Sequence, residues 1–62
     1  MFYDALKEAC EKKNTSVSKI CDKAGLSRGN ISQWKRGRNP RMDTVIEIAN
    51  SLGVNPAKLI SK

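Results

Sequence analysis

At 62 residues the chain has room for one domain, spanning 1–62, and at this size only about 60% of the unfolded surface is buried. Its stability is then marginal without a staple or a partner. Metal is excluded as the staple, because histidine is absent and two cysteines cannot complete a tetrahedral zinc site. A disulfide between Cys10 and Cys21 is conceivable, but two lone thiols with no secretory segment point to a reducing, cytosolic setting. The opening Met1-Phe2-Tyr3-Asp4 has no basic region followed by an apolar stretch, so it is not a signal peptide. No apolar run approaches a membrane span. The expectation is a soluble cytoplasmic protein that needs no cofactor and no membrane.

Charge gives the first positive clue. Twelve Lys/Arg against six Asp/Glu leave a formal net charge of +6 and a pI near 9.8. From Lys23 to Met42 there is no acidic residue, whereas Lys23, Arg28, Lys35, Arg36, Arg38 and Arg41 all fall there. The acids Asp4, Glu8, Glu11, Asp22, Asp43 and Glu47 lie on either side. A polarised charge of this kind suits one face built for a polyanion, and its plainer reading is a solvated basic loop.

Glycine, proline, asparagine and serine cut the chain into five short helical segments. In the first, Phe2, Leu6, Ala9 and Cys10 recur at helical spacing, with Asp4, Lys7, Glu8, Glu11 and Lys12 on the other side. Asn14 is a stop, since asparagine tolerates the left-handed conformation that ends helices. Thr15 or Ser16 caps a second helix, which carries Val17, Ile20, Cys21 and Ala24 on one face and ends at Gly25. Leu26 is a buried link, and Ser27 is the N-cap of a third helix running from about Ser27 to Arg36. Ile31 and Trp34 form its inner face, and Gly37 ends it. Arg38-Asn39-Pro40-Arg41 is a basic loop. The fourth helix turns Met42, Val45, Ile46, Ala49 and Leu52 inward, places Asp43 in its first turn, and stops at Gly53. Asn55 and Pro56 open a last short helix anchored by Leu59 and Ile60. The fold class is therefore all-α, a compact five-helix cluster.

Helices two and three, joined by a tight glycine-containing turn, make a helix-turn-helix, whose second helix can enter the DNA major groove. Gly25 permits the positive φ of the sharp turn. Cys21, four positions earlier, is small enough for helix two to pack tightly on helix three. Leu26, Ile31 and Trp34 pin the recognition helix to the body. Trp34 and both cysteines belong to the core on this spacing, although Trp34 could in principle stack on a base and the thiols sense redox.

The stretch Ser16-Val17-Ser18-Lys19-Ile20-Cys21-Asp22-Lys23-Ala24-Gly25-Leu26-Ser27-Arg28-Gly29-Asn30-Ile31-Ser32-Gln33-Trp34-Lys35-Arg36-Gly37 resembles the helix-turn-helix of the Cro and phage-repressor (XRE-like) family. The resemblance continues through Asn39-Pro40, through Thr44-Val45-Ile46-Glu47-Ile48-Ala49-Asn50-Ser51-Leu52-Gly53-Val54, and to Leu59-Ile60. It implies a lambda-repressor-like fold and a double-stranded DNA partner. It also implies that Ser27, Arg28, Gly29, Ser32 and Gln33 face the bases, with Asn30 beside them placed to serve either a base or a phosphate. The chemistry agrees, because Arg28 can give a bidentate pair to guanine and Gln33 can do so to adenine. Phosphate contacts are expected at the start of helix two, around Ser16 and Val17, where backbone amides and a partial positive charge are offered. Lys35, Arg36, Arg38, Asn39 and Arg41 are expected to clamp the opposite strand along the loop.

Three positions depart from the family pattern. Val17 stands where glutamine is common, Thr15 where an apolar residue is common, and Arg41 where a serine-like cap often opens helix four. The resemblance further implies a weak homodimer completed on DNA, formed by Val54, Lys58, Leu59 and the loop before helix four. The operator would be palindromic, with half-sites one helical turn, about 34 Å, apart. The expected function is that of a phage or mobile-element repressor in a bacterial or phage-infected cell, acting by promoter occlusion because so short a chain leaves no room for an effector domain. Two alternatives use the same fold: an antitoxin or other protein-interaction module, and the DNA-binding part of a longer repressor. An enzyme is not expected, since neither histidine nor clustered carboxylates are present for general acid–base work. Asp22 and Glu47 read as helix-surface charges.

Overall fold

Four of the helix ends are shaped by one device. In the computed structural model, which describes residues 2–60, the N–H groups of Thr15, Leu26, Arg38 and Val54 reach back five residues to the carbonyls of Cys10, Cys21, Gln33 and Ala49, at 2.8 to 3.1 Å. Each bond closes a Schellman turn, satisfying carbonyls that the helix itself leaves without partners. Such a turn needs one residue in the left-handed region: Asn14 with φ 56° serves the first, and Gly25 with φ 76° serves the second. The helices so delimited are α1 (Phe2–Lys12), α2 (Val17–Ala24), α3 (Gly29–Lys35) and α4 (Met42–Leu52), followed by the single turn of α5 (Ala57–Ile60). No strand occurs among the described residues. Met1 and residues 61–62, the ends of the expected domain, lie outside them.

Two of the starts, those of α2 and α5, are built as the sequence implied. Ser16 is the N-cap of α2, its Oγ accepting from the Lys19 N–H at 3.2 Å. The Asn55 Oδ1 accepts from the Ala57 N–H at 2.9 Å and opens α5. Arg41 stands at the N-cap of α4 and makes no capping bond, as an arginine cannot. The recognition helix is shorter than expected, Gly29–Lys35 rather than Ser27 to Arg36. Its first turn is tightened, with the N–H groups of Asn30 and Ile31 bonded to the carbonyls of Ser27 and Arg28 three residues back. Arg28, not the expected Ser27, stands at the N-cap and makes no capping bond, while the Ser27 Oγ accepts from the Gly29 N–H at 3.2 Å just ahead of the helix.

The core is one cluster. Phe2, Leu6 and Cys10 from α1 meet Val17, Ile20 and Cys21 from α2, with Val45, Ile48, Ala49 and Leu52 from α4, Trp34 and Leu59. Tyr3, Ala9, Leu26, Ile31 and Val54 are partly buried against it. Among the described residues no polar or charged side chain is buried, so the interior is held by apolar burial alone. The helix α2 packs chiefly on α4, and α1 on α5, α2 and α3. The expected close packing of α2 on α3 is therefore not the main fixing of the recognition helix. Cys21 lies fully buried in the central cluster. What fixes α3 is the Trp34 ring, set edge-on to Phe2 with centroids 5.2 Å apart.

The inner face of α4 differs from the expected one. Ile48, unassigned in the sequence reading, is fully buried, whereas Met42 and Ile46 are 51% and 42% exposed. At about 100° per residue, Val45, Ile48, Ala49 and Leu52 form one tight stripe, and Ile46 stands about 100° from Val45. Ile60, expected as an anchor, is 52% exposed, and Leu59 alone holds α5. Both cysteines are free and buried. Burial, reinforced by neighbouring negative charge, pushes both thiols above the usual range.

Ile48→Val is expected to cost about 0.5–1.5 kcal/mol in urea unfolding, whereas Ile46→Ala should cost less than about 0.5 kcal/mol. Because the folded thiols hold their protons longer than unfolded ones, their contribution to stability is present below the ordinary thiol pKa and lost as pH rises above it. A Cys10→Ala/Cys21→Ala double variant should therefore show a flatter alkaline decline in melting temperature than the unsubstituted chain.

Candidate nucleic-acid interface

The helix α3 is anchored on one side and open on the other. Trp34 is buried and Ile31 half-buried, while Gly29, Ser32, Gln33 and Arg36, spaced at i, i+3, i+4 and i+7, are exposed. Gln33 makes no side-chain hydrogen bond among the described residues, so its amide is available. Asn30 is half-buried, and its Nδ2 donates to the Ser27 carbonyl at 3.1 Å, which ties one of its amide donors to the helix start. Ser27 is exposed but its oxygens serve the helix start. Gly29 is exposed, has no positive φ, and a Cβ built on it would meet only the Ser27 Oγ, at 3.4 Å. Nothing inside the protein requires glycine there.

Arg28, just before α3, is not a loose surface cation. Its Nε donates to Asp22 Oδ1 at 3.2 Å and its Nη2 to Asp22 Oδ2 at 2.6 Å. The pair joins α2 to the start of α3 across the Gly25 turn, and its side chains are 65% and 53% exposed. The hydrogen bond from Arg28 holds the Asp22 carboxyl below its ordinary pKa. Asp22 is thus more than the isolated surface charge the sequence implied.

Two shallow grooves flank α3. One, of about 230 Å³, is lined by Asn30 and Gln33 together with Arg38, Asn39, Arg41 and Thr44. It brings the outer edge of α3 and the basic loop side by side. The other, of about 310 Å³, lies where α1 and the start of α2 approach the far edge of α3, and is lined by Tyr3, Lys7, Ser16, Val17, Ser18 and Lys35 among others. Lys35 was expected to join the loop; the structure puts it in this second groove, its Nζ 5.8 Å from the centre of the Tyr3 ring. Val17 lies at the edge of this groove with its side chain 9% exposed and packed into the core. Only its N–H, and that of Ser18, remain without an intrahelical acceptor at the start of α2. Leu59 is 1% exposed and cannot form part of an intermolecular surface, whereas Val54 is half-buried and Lys58 exposed.

A family model described as helix-turn-helix matches residues 6–59, nearly the whole chain. The chain belongs to the Cro/C1-type, XRE-like helix-turn-helix family. None of the curated proteins and no solved structure matches it. Membership makes it a DNA-binding helix-turn-helix regulator of a typically non-enzymatic kind. Among the described residues no group of His, Cys, Asp and Glu is placed to hold a metal, and no helix is long and apolar enough to cross a membrane.

Sequence reasoning missed Tyr3, Lys7 and Thr44 as groove residues of this helix-turn-helix domain, because α1 and α4 reach the site only through tertiary packing. The Asp22–Arg28 pair was missed as well, although a spacing of six residues across a glycine turn is a usable signal in a helix-turn-helix. Since Gly29 sits in an unstrained helical position, Gly29→Ala should raise stability by about 0.4–1 kcal/mol in chemical denaturation.

Proposed function

We propose that the chain is a transcriptional repressor, of the kind carried by phages and mobile elements, which reads a palindromic operator by placing α3 in the major groove. The observation that carries this reading is the exposed face of α3 lying between a groove lined by Arg38 and Arg41 and one where Lys7 and Lys35 stand with Glu11. In this arrangement Arg28 and Gln33 meet base edges, Ser32 lies beside them, and Gly29 lets the backbone come close. Ser27 and Asn30 hold the helix start that brings these groups to the groove. The phosphate contacts fall into two sets. Lys7, Lys35, Ser16 and the N–H groups of Val17 and Ser18 engage one backbone. Arg36, Arg38, Asn39 and Arg41 engage the other. These contacts set register and salt dependence, and the base contacts set sequence.

Two copies, one per half-site and about 34 Å apart, account for a palindrome. Their shared surface would use Val54, Lys58, the exposed Ile60 and the loop before α4, with Leu59 excluded by its burial. A surface this small favours weak association that is completed on DNA. A domain seated this way at a promoter blocks polymerase by occupying the same groove.

Selection from random duplex DNA should enrich a palindromic site that binds about a thousandfold more tightly than an unrelated duplex. Arg28→Ala should lose roughly tenfold to hundredfold discrimination at one base position. Arg41→Ala should instead weaken all duplexes alike and reduce the salt slope by about 0.9. Absence of any enriched site would remove the regulator reading in favour of a protein-partner module. Sedimentation without DNA should find a monomer at micromolar concentration, and a tight dimer would contradict assembly on DNA.

A further inference from the structure

Asp22 is an unexpected residue in the proposed interface. In sequence it is the sole acid between Glu11 and Asp43, and it joins Glu11, which lines the groove of Lys7 and Lys35, as an acid beside the cations of the proposed interface. Alone, a carboxylate there repels phosphate and weakens every complex with DNA. Nor does the fold call for it. The end of α2 is already closed by the Leu26 N–H to Cys21 carbonyl bond at 2.8 Å, and an exposed ion pair adds little to stability.

What Asp22 does is orient Arg28. A guanidinium has five N–H donors in a fixed plane. The carboxylate takes the Nε–H and one Nη2–H in a two-point contact, at 3.2 and 2.6 Å. Three donors remain, and two of them, one on Nη2 and one on Nη1, lie along the edge that fits the O6 and N7 acceptors of guanine. The flexible side chain is then held before DNA arrives, so less rotamer freedom is lost on binding. Paired in this way, Arg28 and Asp22 together carry no net charge. The unit is a poor phosphate clamp but a directional donor.

We infer that Asp22 is a specificity-determining positioning residue, which holds Arg28 so that its free edge selects guanine at one position of each half-site. The inference rests on the reading of α3 as the major-groove helix, and it adds a residue on α2 that need not touch a base.

The test is base-by-base binding of the selected site by four proteins: unsubstituted, Asp22→Asn, Arg28→Ala and the double variant. Asparagine keeps the shape and removes the charge. Asp22→Asn should leave the melting temperature nearly unchanged, bind unrelated duplex at least as well, and steepen the salt slope by about 0.9 as Arg28 becomes a free cation. It should lose roughly tenfold of the guanine preference at the Arg28 position and little elsewhere. In the Arg28→Ala background the same change should leave base preference unaltered, because the residue it positions is gone. Asp22→Glu should recover part of the preference, since the carboxylate is restored one methylene further out.

Full guanine preference in Asp22→Asn overturns the inference while leaving the DNA reading intact. So does a shift of preference by Asp22→Asn in the Arg28→Ala background, which would mean that Asp22 contacts a base itself. If Asp22→Asn proves unfolded, the pair is structural and the inference fails. A pool in which the unsubstituted protein enriches no site removes the DNA reading and this inference with it.

Discussion

The geometry of the interface depends on the contact between Trp34 and Phe2. Seven residues make about two turns of helix, well below the ~12–15 residues at which an isolated helix persists in water. The helix α3 is held because Trp34, its one buried residue, seats its inner face against α1, with the half-buried Ile31 packed beside the core. This anchoring turns Gly29, Ser32 and Gln33 away from the body. It also brings Lys35 beside Tyr3, so the far edge of α3 meets the start of α2 through α1. The first helix, which carries no part of the helix-turn-helix motif, is thus the platform on which the recognition helix is mounted.

Around this anchor the molecule separates its two kinds of chemistry. The interior holds no polar side chain among the described residues, and its helix ends are closed by backbone bonds within the chain. Lys23, Arg28, Lys35, Arg36, Arg38 and Arg41 are all exposed. No cation of this set is spent on internal stability, and one, Arg28, is paired with an acid at the surface. Burial therefore decides whether the fold forms, and surface charge decides what it meets. The two can vary almost independently.

The sequence alone was enough to define the helix-turn-helix, because the signals that define it are local. A left-handed residue at a helix end, a serine at a helix start and an apolar stripe at helical spacing each act within one or two turns. Asn14, Ser16, Gly25, Asn55, the inner face of α1 and, of that of α2, Val17, Ile20 and Cys21 were legible for that reason, whereas Ala24, expected on the same face, is only half-buried and outside the core. The cationic run from Lys23 to Arg41 was equally plain, since charge is a property of the residues themselves.

Tertiary structure decided what local signals leave open. In α4 two overlapping apolar stripes fit the same periodicity, and packing against α2 chose the one containing Ile48, leaving Met42 and Ile46 outside. At the C-terminus Leu59 and Ile60 are adjacent apolar residues, and contact of α5 with α1 buried the first and exposed the second. Tyr3 and Lys7 reach the start of α2 only because α1 folds across it. The hold of Asp22 on Arg28 depends on how the Gly25 turn sets two helices in space. The sequence determined which elements form, where they end and which sign of charge they present, because those follow from short-range backbone chemistry and composition. Which of several apolar faces is buried, and which distant side chains share a groove, waited on the packed structure, because those are choices among alternatives that are nearly equal until the helices meet.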